Sequence, residues 1–342
     1  MNHSYPTIQR GGILLSPDPK DERETEGILN PAVAGPYLLY RAVGPRNYSR
    51  IMVAKLEYSR IGEDEVTIKA SKLNQVAIEP EENYEISAPG HGGTEDPRIT
   101  QMPNGQYIMT YTGFGQPDGF SKQTTVVALA TSKDGLTWHK EGRLSYTPYN
   151  NGEMTVDFNY IPNKDTVIFG EKINGRYAML HRPMFTQEQA HQYHLPWRAI
   201  WYAESDTLQG PWDNHQLILQ PHFSWEEGGI GAGVPPIRLH DAWIHVYHGF
   251  TNYDARVEYR AGVFITPHDE PTKILYRSQC AMLEPEHIVE REGTVPDVVF
   301  PTAVWRFPDD QDSLAIFWGG GDSHILWGQL HLPSPLVSTK HI

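Results

Sequence analysis

Tyr107-Ile-Met-Thr-Tyr111, then Val126-Val-Ala-Leu-Ala130, then Thr131-Ser-Lys-Asp134 and Trp138, set the pattern for the whole chain. The two runs are rich in β-branched and aromatic residues, as strands are, and the Ser/Asp segment is turn chemistry. The same order recurs. Tyr37-Leu-Leu-Tyr40 is followed by Met52-Val-Ala54. Thr166-Val-Ile-Phe169 and Tyr177-Ala-Met-Leu180 are followed by Ile200-Trp-Tyr-Ala203, and Trp243-Ile-His-Val-Tyr247 by Arg260-Ala-Gly-Val263. Leu314-Ala-Ile-Phe-Trp318 opens a last unit, and Ala203-Glu-Ser-Asp206 leads to Trp212 as Asp134 leads to Trp138. The spacing, roughly 60–75 residues, is that of radial repeats. It predicts about five sheets of four strands, an all-β chain folded as a five-bladed β-propeller. A pair of β-sandwiches is the competing architecture, and a single period disfavours it. Residues 1–342 then form one domain, in which an N-terminal segment of about 25 residues packs on or closes the propeller. Met184 to Tyr193 is a window for a short helix, and evenly spread Pro and Gly leave no linker.

The formal net charge of −14 argues against nucleic acid and anionic membrane surfaces as partners. No run of about eighteen apolar residues offers a transmembrane helix. The many Trp and Tyr suit an all-β protein and equally a carbohydrate binder, because sugar C–H faces stack on rings. Cys280, the single cysteine, cannot form an intrachain disulfide, and Met1 to Arg10 carries no apolar signal core. Together they predict a cytoplasmic protein. Without HExxH, CxxC or a helically spaced His pair, neither a metal nor an organic cofactor is expected. Gly319-Gly-Gly321 lacks the ending of a phosphate loop and reads as a turn.

Chemistry concentrates first in Gly93-Thr94-Glu95-Asp96-Pro97-Arg98. Pro97 is expected to hold Asp96 extended. Arg98 would supply a fixed cation that keeps one carboxylate ionised while its neighbour stays protonated. On a strand, Glu95 and Asp96 would point to opposite faces, so one alone faces the centre, and Asp96 is the candidate acid. Asp297, flanked by apolar residues, is a second inward carboxylate. Glu226 and Glu227 stand in a Gly-rich loop, where a turn or surface role is the plain alternative. Arg41, Arg50, Lys172, His181 and Arg182 stand at strand ends, where an unpaired charge is costly. They are either structural ion pairs, with Glu171 as a partner for Lys172, or an anion pocket, since phosphate takes several Arg and Lys donors at once. His248, ending its strand after Tyr247, could bond a sugar hydroxyl or a phosphate, whereas His240, His245 and His268 read as ordinary strand or surface residues.

Read in order, these motifs resemble glycoside hydrolase family 130, the five-bladed propellers that include β-mannoside phosphorylases and β-1,2-mannosidases. The resemblance covers most of the chain. It is carried by Asn30-Pro-Ala32 with Leu39-Tyr-Arg-Ala42, Ser49-Arg-Ile51, Glu95-Asp-Pro-Arg-Ile99, Phe169-Gly-Glu-Lys-Ile173 with Leu180-His-Arg-Pro183, Gly231-Ala-Gly-Val-Pro-Pro236, Tyr247-His-Gly249 and Val295-Pro-Asp-Val-Val-Phe-Pro301. The resemblance implies that Asp96 is the general acid, protonating the glycosidic oxygen through a mannose hydroxyl while inorganic phosphate, a co-substrate, attacks the anomeric carbon. It implies phosphate binding by Lys172, His181, Arg182, Tyr247 and His248. It implies mannose binding by Asn30, Arg41, Ser49, Arg50, Glu95, Arg98 and Asp297. The partners would be a mannose-containing oligosaccharide and phosphate, and a homo-oligomer is expected because family members form dimers and larger assemblies.

The residues themselves agree in kind. Phosphate is already nucleophilic, so a phosphorylase needs one acid and a group of cations. An inverting hydrolase needs a second carboxylate, about 6.5–9.5 Å from the acid, to activate water. There is one departure. Many family phosphorylases show Ala-Arg-Leu where this chain has Thr125-Val-Val127, after a longer loop, Phe114 to Lys122. An Arg that often contacts phosphate is thus replaced by Val126. Phosphorolysis of short β-mannosides to α-mannose 1-phosphate, with inversion, is the expected reaction. A β-1,2-mannosidase using Glu226, Glu227 or another base is the alternative, and a non-catalytic sugar-binding propeller is the third reading.

Overall fold

The computed structural model describes residues 6–61, 65–253, 256–307 and 310–332. The chain begins with β1 (Thr7–Leu15). β2 (Gly27–Ala34), β3 (Tyr37–Gly44), β4 (Tyr48–Ile61) and β5 (Glu65–Ile78) follow in one antiparallel sheet. After the short β6 (Ile86–Ala88), a second sheet holds β7 (His91–Gln101), β8 (Tyr107–Gly115), β9 (Thr124–Ser132) and β10 (His139–Arg143). A single parallel bridge, Ser49 to Gly93, joins it to the first. The pair β11 (Tyr149–Asn150) and β12 (Thr155–Val156) precedes a third sheet of β13 (Asn163–Ile168), β14 (Tyr177–Pro183), β15 (Ile200–Ser205) and β16 (Asp213–Leu219). The fourth contains β17 (Gly229–Ala232), β18 (Ile237–Leu239), β19 (Ala242–Tyr253), β20 (Arg256–Pro267) and β21 (Tyr276–Arg277). The fifth contains β22 (Val299–Phe307), β23 (Asp310–Gly320) and β24 (His324–His331), and β1 is its outermost strand. The short helix lies at Gln187–Tyr193, capped by Thr186.

Both faces of most strands are buried, so apolar runs are nearly continuous and alternate residues serve different neighbours. In β3, Leu38, Tyr40 and Ala42 pack with Trp305, Phe317 and Trp327 of the fifth sheet. Leu39, between them, packs with Met109 and Tyr111 of the second. Analogous apolar clusters join the second sheet to the third, the third to the fourth and the fourth to the fifth. The sheets therefore pack face to face in cyclic order. The aromatic runs that reveal the repeat are mostly second strands. The first strands, more polar, meet in the middle: β2 touches β7 and β22, β13 touches β7 and β17, and β22 reaches across to β7.

The N-terminus completes the fifth sheet. β1 runs antiparallel to β24, from Thr7 opposite His331 to Leu15 opposite Ile325. Arg10 fixes it: its Nη1 donates to Glu290 Oε1 at 2.8 Å and its guanidinium lies over Trp318. Glu290 is fully buried and also accepts from Glu286 N, His287 N and Trp318 Nε1. Replacing Arg10 by Met leaves that carboxylate without its cation. Urea unfolding should show a loss of about 1–3 kcal/mol, below the full value for a buried pair because Arg10 is partly exposed. An unchanged midpoint would mean that this ion pair does not hold the closing strand.

Candidate active site

Three of the inner strands carry the same irregularity. The pairing register slips between Leu29 and Ala32 in β2, between Glu95 and Arg98 in β7, and between Lys164 and Val167 in β13. At each slip one residue has left-handed φ: Asn30 at 47°, Asp96 at 49° and Asp165 at 53°. Asn and Asp tolerate that conformation better than other side chains, and a bulge re-aims a side chain out of the ladder. Three polar groups are thereby turned out of three sheets. Pro97 does not keep Asp96 extended, and the bulge cancels the alternation that would separate Glu95 from Asp96.

Both carboxylates instead meet Arg41. Its Nη2 donates to Glu95 Oε1 at 2.7 Å and its Nη1 to Asp96 Oδ1 at 3.3 Å, while its Nε donates to Ser49 Oγ at 2.9 Å. Asn30 Nδ2 donates to Asp96 Oδ1 at 2.7 Å. Burial works to raise the Asp96 carboxyl, but Arg41, Lys164 and Arg98, with the Asn30 hydrogen bond, overcome it and hold Asp96 below its ordinary value. Glu95 is raised by burial, Arg41 opposing and Asp96 adding. Asp322 belongs to the same group. Burial pushes it up to about 6, Arg41 opposes, and Asp96 raises it further. Gly319 and Gly320 are the end of β23 rather than a turn, and Asp322 sits in the bend beyond them.

Beside this group lies a buried network. Arg182 Nη2 stands 2.8 Å from Asp165 Oδ2, and its Nη1 donates to His248 Nε2 at 3.1 Å. Burial pushes His248 down to about 4 against the pull of Asp165, so it is neutral. Asp165 is held far below the usual carboxylate range: burial opposes, and Arg182 and His248 prevail. Gly231 lets the groups meet, since a Cβ there would lie 2.6 Å from His248 Cε1 and against Asp165 Oδ2. Lys164 bears electrostatically on Asp96, Glu95, Asp165 and Asp322 alike. Its ammonium has no hydrogen bond or ion pair of its own among the described residues.

The structure thus brings together Asn30, Arg41, Ser49, Glu95 and Asp96, with Arg182 and His248 adjoining. The other expected site residues are elsewhere. Lys172 is exposed beyond the far end of β13 from Lys164, over the ring of Tyr177, and Glu171 pairs with Arg238 and His268 instead. His181 is on the opposite face of β14 from Arg182, stacked on Tyr146 and bonded to Asn163, and burial keeps it neutral. Tyr247 likewise faces away from His248 and donates to Glu226 at 2.5 Å. Arg50 turns from Ser49 to pair with Glu79 at 3.0 Å. Asp297 is paired with Arg256 at 2.5 Å. Arg98 is wholly buried and binds carbonyls: Gly233 O at 2.6 Å, Asp96 O at 3.0 Å and Pro97 O at 3.4 Å. It braces the bulge, with its Nη2 3.8 Å from Asp165 Oδ1, and Arg41 leads it in setting the charge on Asp96.

Neither loop carboxylate is poised as a base. Glu226 is saturated by His222 N, Phe223 N, Tyr247 Oη and Arg277. Glu227, next along, is exposed on the turn. Val126 lies in the apolar cluster between the first two sheets. Lys164, Asp165 and Asp322 were not foreseen. The signal for the first two was Asn163-Lys-Asp165 at the head of a strand, the place held by Asn30 and Asp96 in the earlier units.

A family model described as β-1,4-mannooligosaccharide phosphorylase matches residues 23–333. A 1,2-β-oligomannan phosphorylase of Thermoanaerobacter sp. (strain X514) is 32% identical over 321 residues, covering 91% of this chain and 92% of that one. A β-1,2-mannobiose phosphorylase of the same strain is 30% identical over 324 residues, with 91% and 92% covered. Among solved structures, the β-1,2-mannobiose phosphorylase of Listeria innocua, in complex with β-1,2-mannobiose, aligns with a TM-score of 0.70. It is 21% identical, covering 97% of this chain and 98% of that one, a likeness of fold.

The electrostatics of Asp322 are testable. Its value is raised on folding from 3.8 to about 6, so its ionisation opposes folding. That opposition is absent below its unfolded value, grows as pH rises between the two values, and is complete above about 6. Asp322→Asn should therefore stabilise the fold more at pH 8 than at pH 4, relative to wild type, in paired thermal melts. An equal difference at both pH values would rule out a destabilised carboxylate there.

Proposed function

This chain belongs to glycoside hydrolase family 130, and we propose that within it the protein is an inverting phosphorylase of short β-mannosides. The substrates are β-1,2-linked manno-oligosaccharides, and the product is α-mannose 1-phosphate. The observation that carries this reading is Lys164, half-buried and with no hydrogen bond or ion pair of its own among the described residues, which bears on both the acid group at Arg41 and the buried Arg182–Asp165–His248 network. Such a lysine calls for an anion from solution. The part expected of Lys172 passes to Lys164, with Arg182 behind it. Glu226 is buried and saturated and Glu227 is exposed on its turn, so neither loop carboxylate is set as a base. The Thermoanaerobacter relatives, phosphorylases of β-1,2-linked mannans, support the linkage.

In this reading a mannosyl unit lies against Asn30, Arg41, Glu95 and Asp322. Asp96 delivers a proton to the glycosidic oxygen, through a sugar hydroxyl, as the bond from that oxygen to the anomeric carbon breaks. A phosphate oxygen attacks the same carbon from the opposite face, which turns a β-linkage into an α-phosphate. Asp96 is ionised in the empty site, so the proton it delivers is taken up when substrate covers the group and deepens its burial. The five cyclic sheets are the blades of a propeller, and the bulged residues line its middle. Phosphate is the co-substrate, no further cofactor is needed, and a cytoplasm would supply the phosphate and retain the charged product.

Two outcomes test the proposal. Incubation with β-1,2-mannobiose should release mannose 1-phosphate only when inorganic phosphate is present; mannose released equally without phosphate would make the protein a hydrolase. Asp96→Asn should lower kcat by about two to four orders of magnitude with the melting temperature little changed, as for loss of a general acid. Near-wild-type turnover would remove Asp96 from that role.

A further inference from the structure

Arg198 stands apart from the other arginines of the site. Arg41 holds two carboxylates, Arg182 holds Asp165, and Arg98 is bonded to backbone carbonyls. The guanidinium of Arg198 has no hydrogen bond or ion pair among the described residues. It is nevertheless fixed, 4.3 Å from the ring centroid of Trp197 and 5.2 Å from that of Phe250. Its backbone carbonyl accepts from Ile230 N at 3.3 Å, which ties it to β17. Gly229, at φ +133°, passes over its stem, where a Cβ would lie 2.7 Å from Arg198 Cβ and 3.1 Å from Cδ. Burial lowers its pKa, and the like charge of Arg182 lowers it further, while Tyr259 and Asp165 oppose.

Both rings lie against the cation and neither offers an acceptor to its N–H groups. Asp165 already faces Arg182 and the more distant Arg98, so its single charge is outnumbered before Arg198 is added. Two arginines set against each other beside one spent carboxylate repel unless an anion enters.

We infer that Arg198 is a phosphate-binding residue of this chain, delivered from the third sheet. The inference rests on the phosphorolysis reading. The rings of Trp197 and Phe250 hold the guanidinium with its edge toward the oxyanion that Lys164 and Arg182 also meet. Arginine suits the place because a planar fork can stack and bind at once, which an ammonium cannot.

The test is steady-state kinetics on β-1,2-mannobiose with phosphate varied, and calorimetry with inorganic phosphate alone, for wild type, Arg198→Ala, Arg198→Lys and Phe250→Leu. Arg198→Ala should raise the KM for phosphate and its Kd by roughly ten- to a hundredfold, the worth of one charge-assisted contact. The KM for mannobiose should stay within about threefold. Arg198→Lys should fall between, and Phe250→Leu should shift the same constants in the same direction by a smaller factor. Phosphate constants unchanged in Arg198→Ala, with wild type dependent on phosphate, would overturn the role of Arg198 and leave phosphorolysis standing. Wild type that cleaves without phosphate would overturn both.

Discussion

One buried guanidinium ties the middle of the molecule together. Arg98 rises from the second sheet, holds the carbonyls of its own bulge at Asp96 and Pro97, and reaches the carbonyl of Gly233 in the fourth. It stands 3.8 Å from Asp165 of the third sheet and 5.5 Å from the ring centre of Phe300 in the fifth. A charge so deep is tolerable only with such partners. Carbonyls of two sheets converge on it because it is there, and the bulge that presents Asp96 keeps its shape because its carbonyls are bound. The bulge that presents Asp96 is therefore set by a cation bonded to backbone carbonyls.

From that centre the charge is arranged unevenly. The chain as a whole is strongly acidic, yet its middle gathers Arg41, Arg98, Arg182, Arg198 and Lys164 within packed, mostly apolar sheets. Where each carboxylate has a cation, the result is rigid: Glu95 and Asp96 on Arg41, Asp165 on Arg182. Where cations outnumber carboxylates, as around Lys164 and Arg198, lies the proposed place of an anion. A global negative field repels anions in solution, so a site that takes one must rely on close, dry contacts rather than long-range attraction.

The repeat was readable because both faces of most strands are buried. Runs such as Tyr107–Tyr111 and Leu314–Trp318 cannot be mistaken for half-exposed strands. The sequence around Asp96 is unusual, and the structure does group it with Asn30 and Arg41, and with Ser49 through Arg41. What failed was the assignment of direction. Tyr247 and His248, or His181 and Arg182, are neighbours that alternation sends to opposite faces, and only one of each pair joins the site. The bulges hid the opposite case: Glu95 and Asp96 should have separated, and a slip in register kept them together. Lys172 misled because a lysine in a familiar motif says nothing about which end of its strand faces the site, and Lys164 is eight positions earlier in the same unit.

The pairing of β1 with β24 fixes the order in which the molecule can be finished. Thr7 lies opposite His331, so β1 must wait for β24 before its hydrogen bonds exist. During synthesis the edge of β1 stays open, and four sheets can form while the ring does not. Contacts of such sequence separation close slowly, and an unpaired edge in the interval is a template for another chain. Closure is then a late event that brings together two strands more than 300 positions apart.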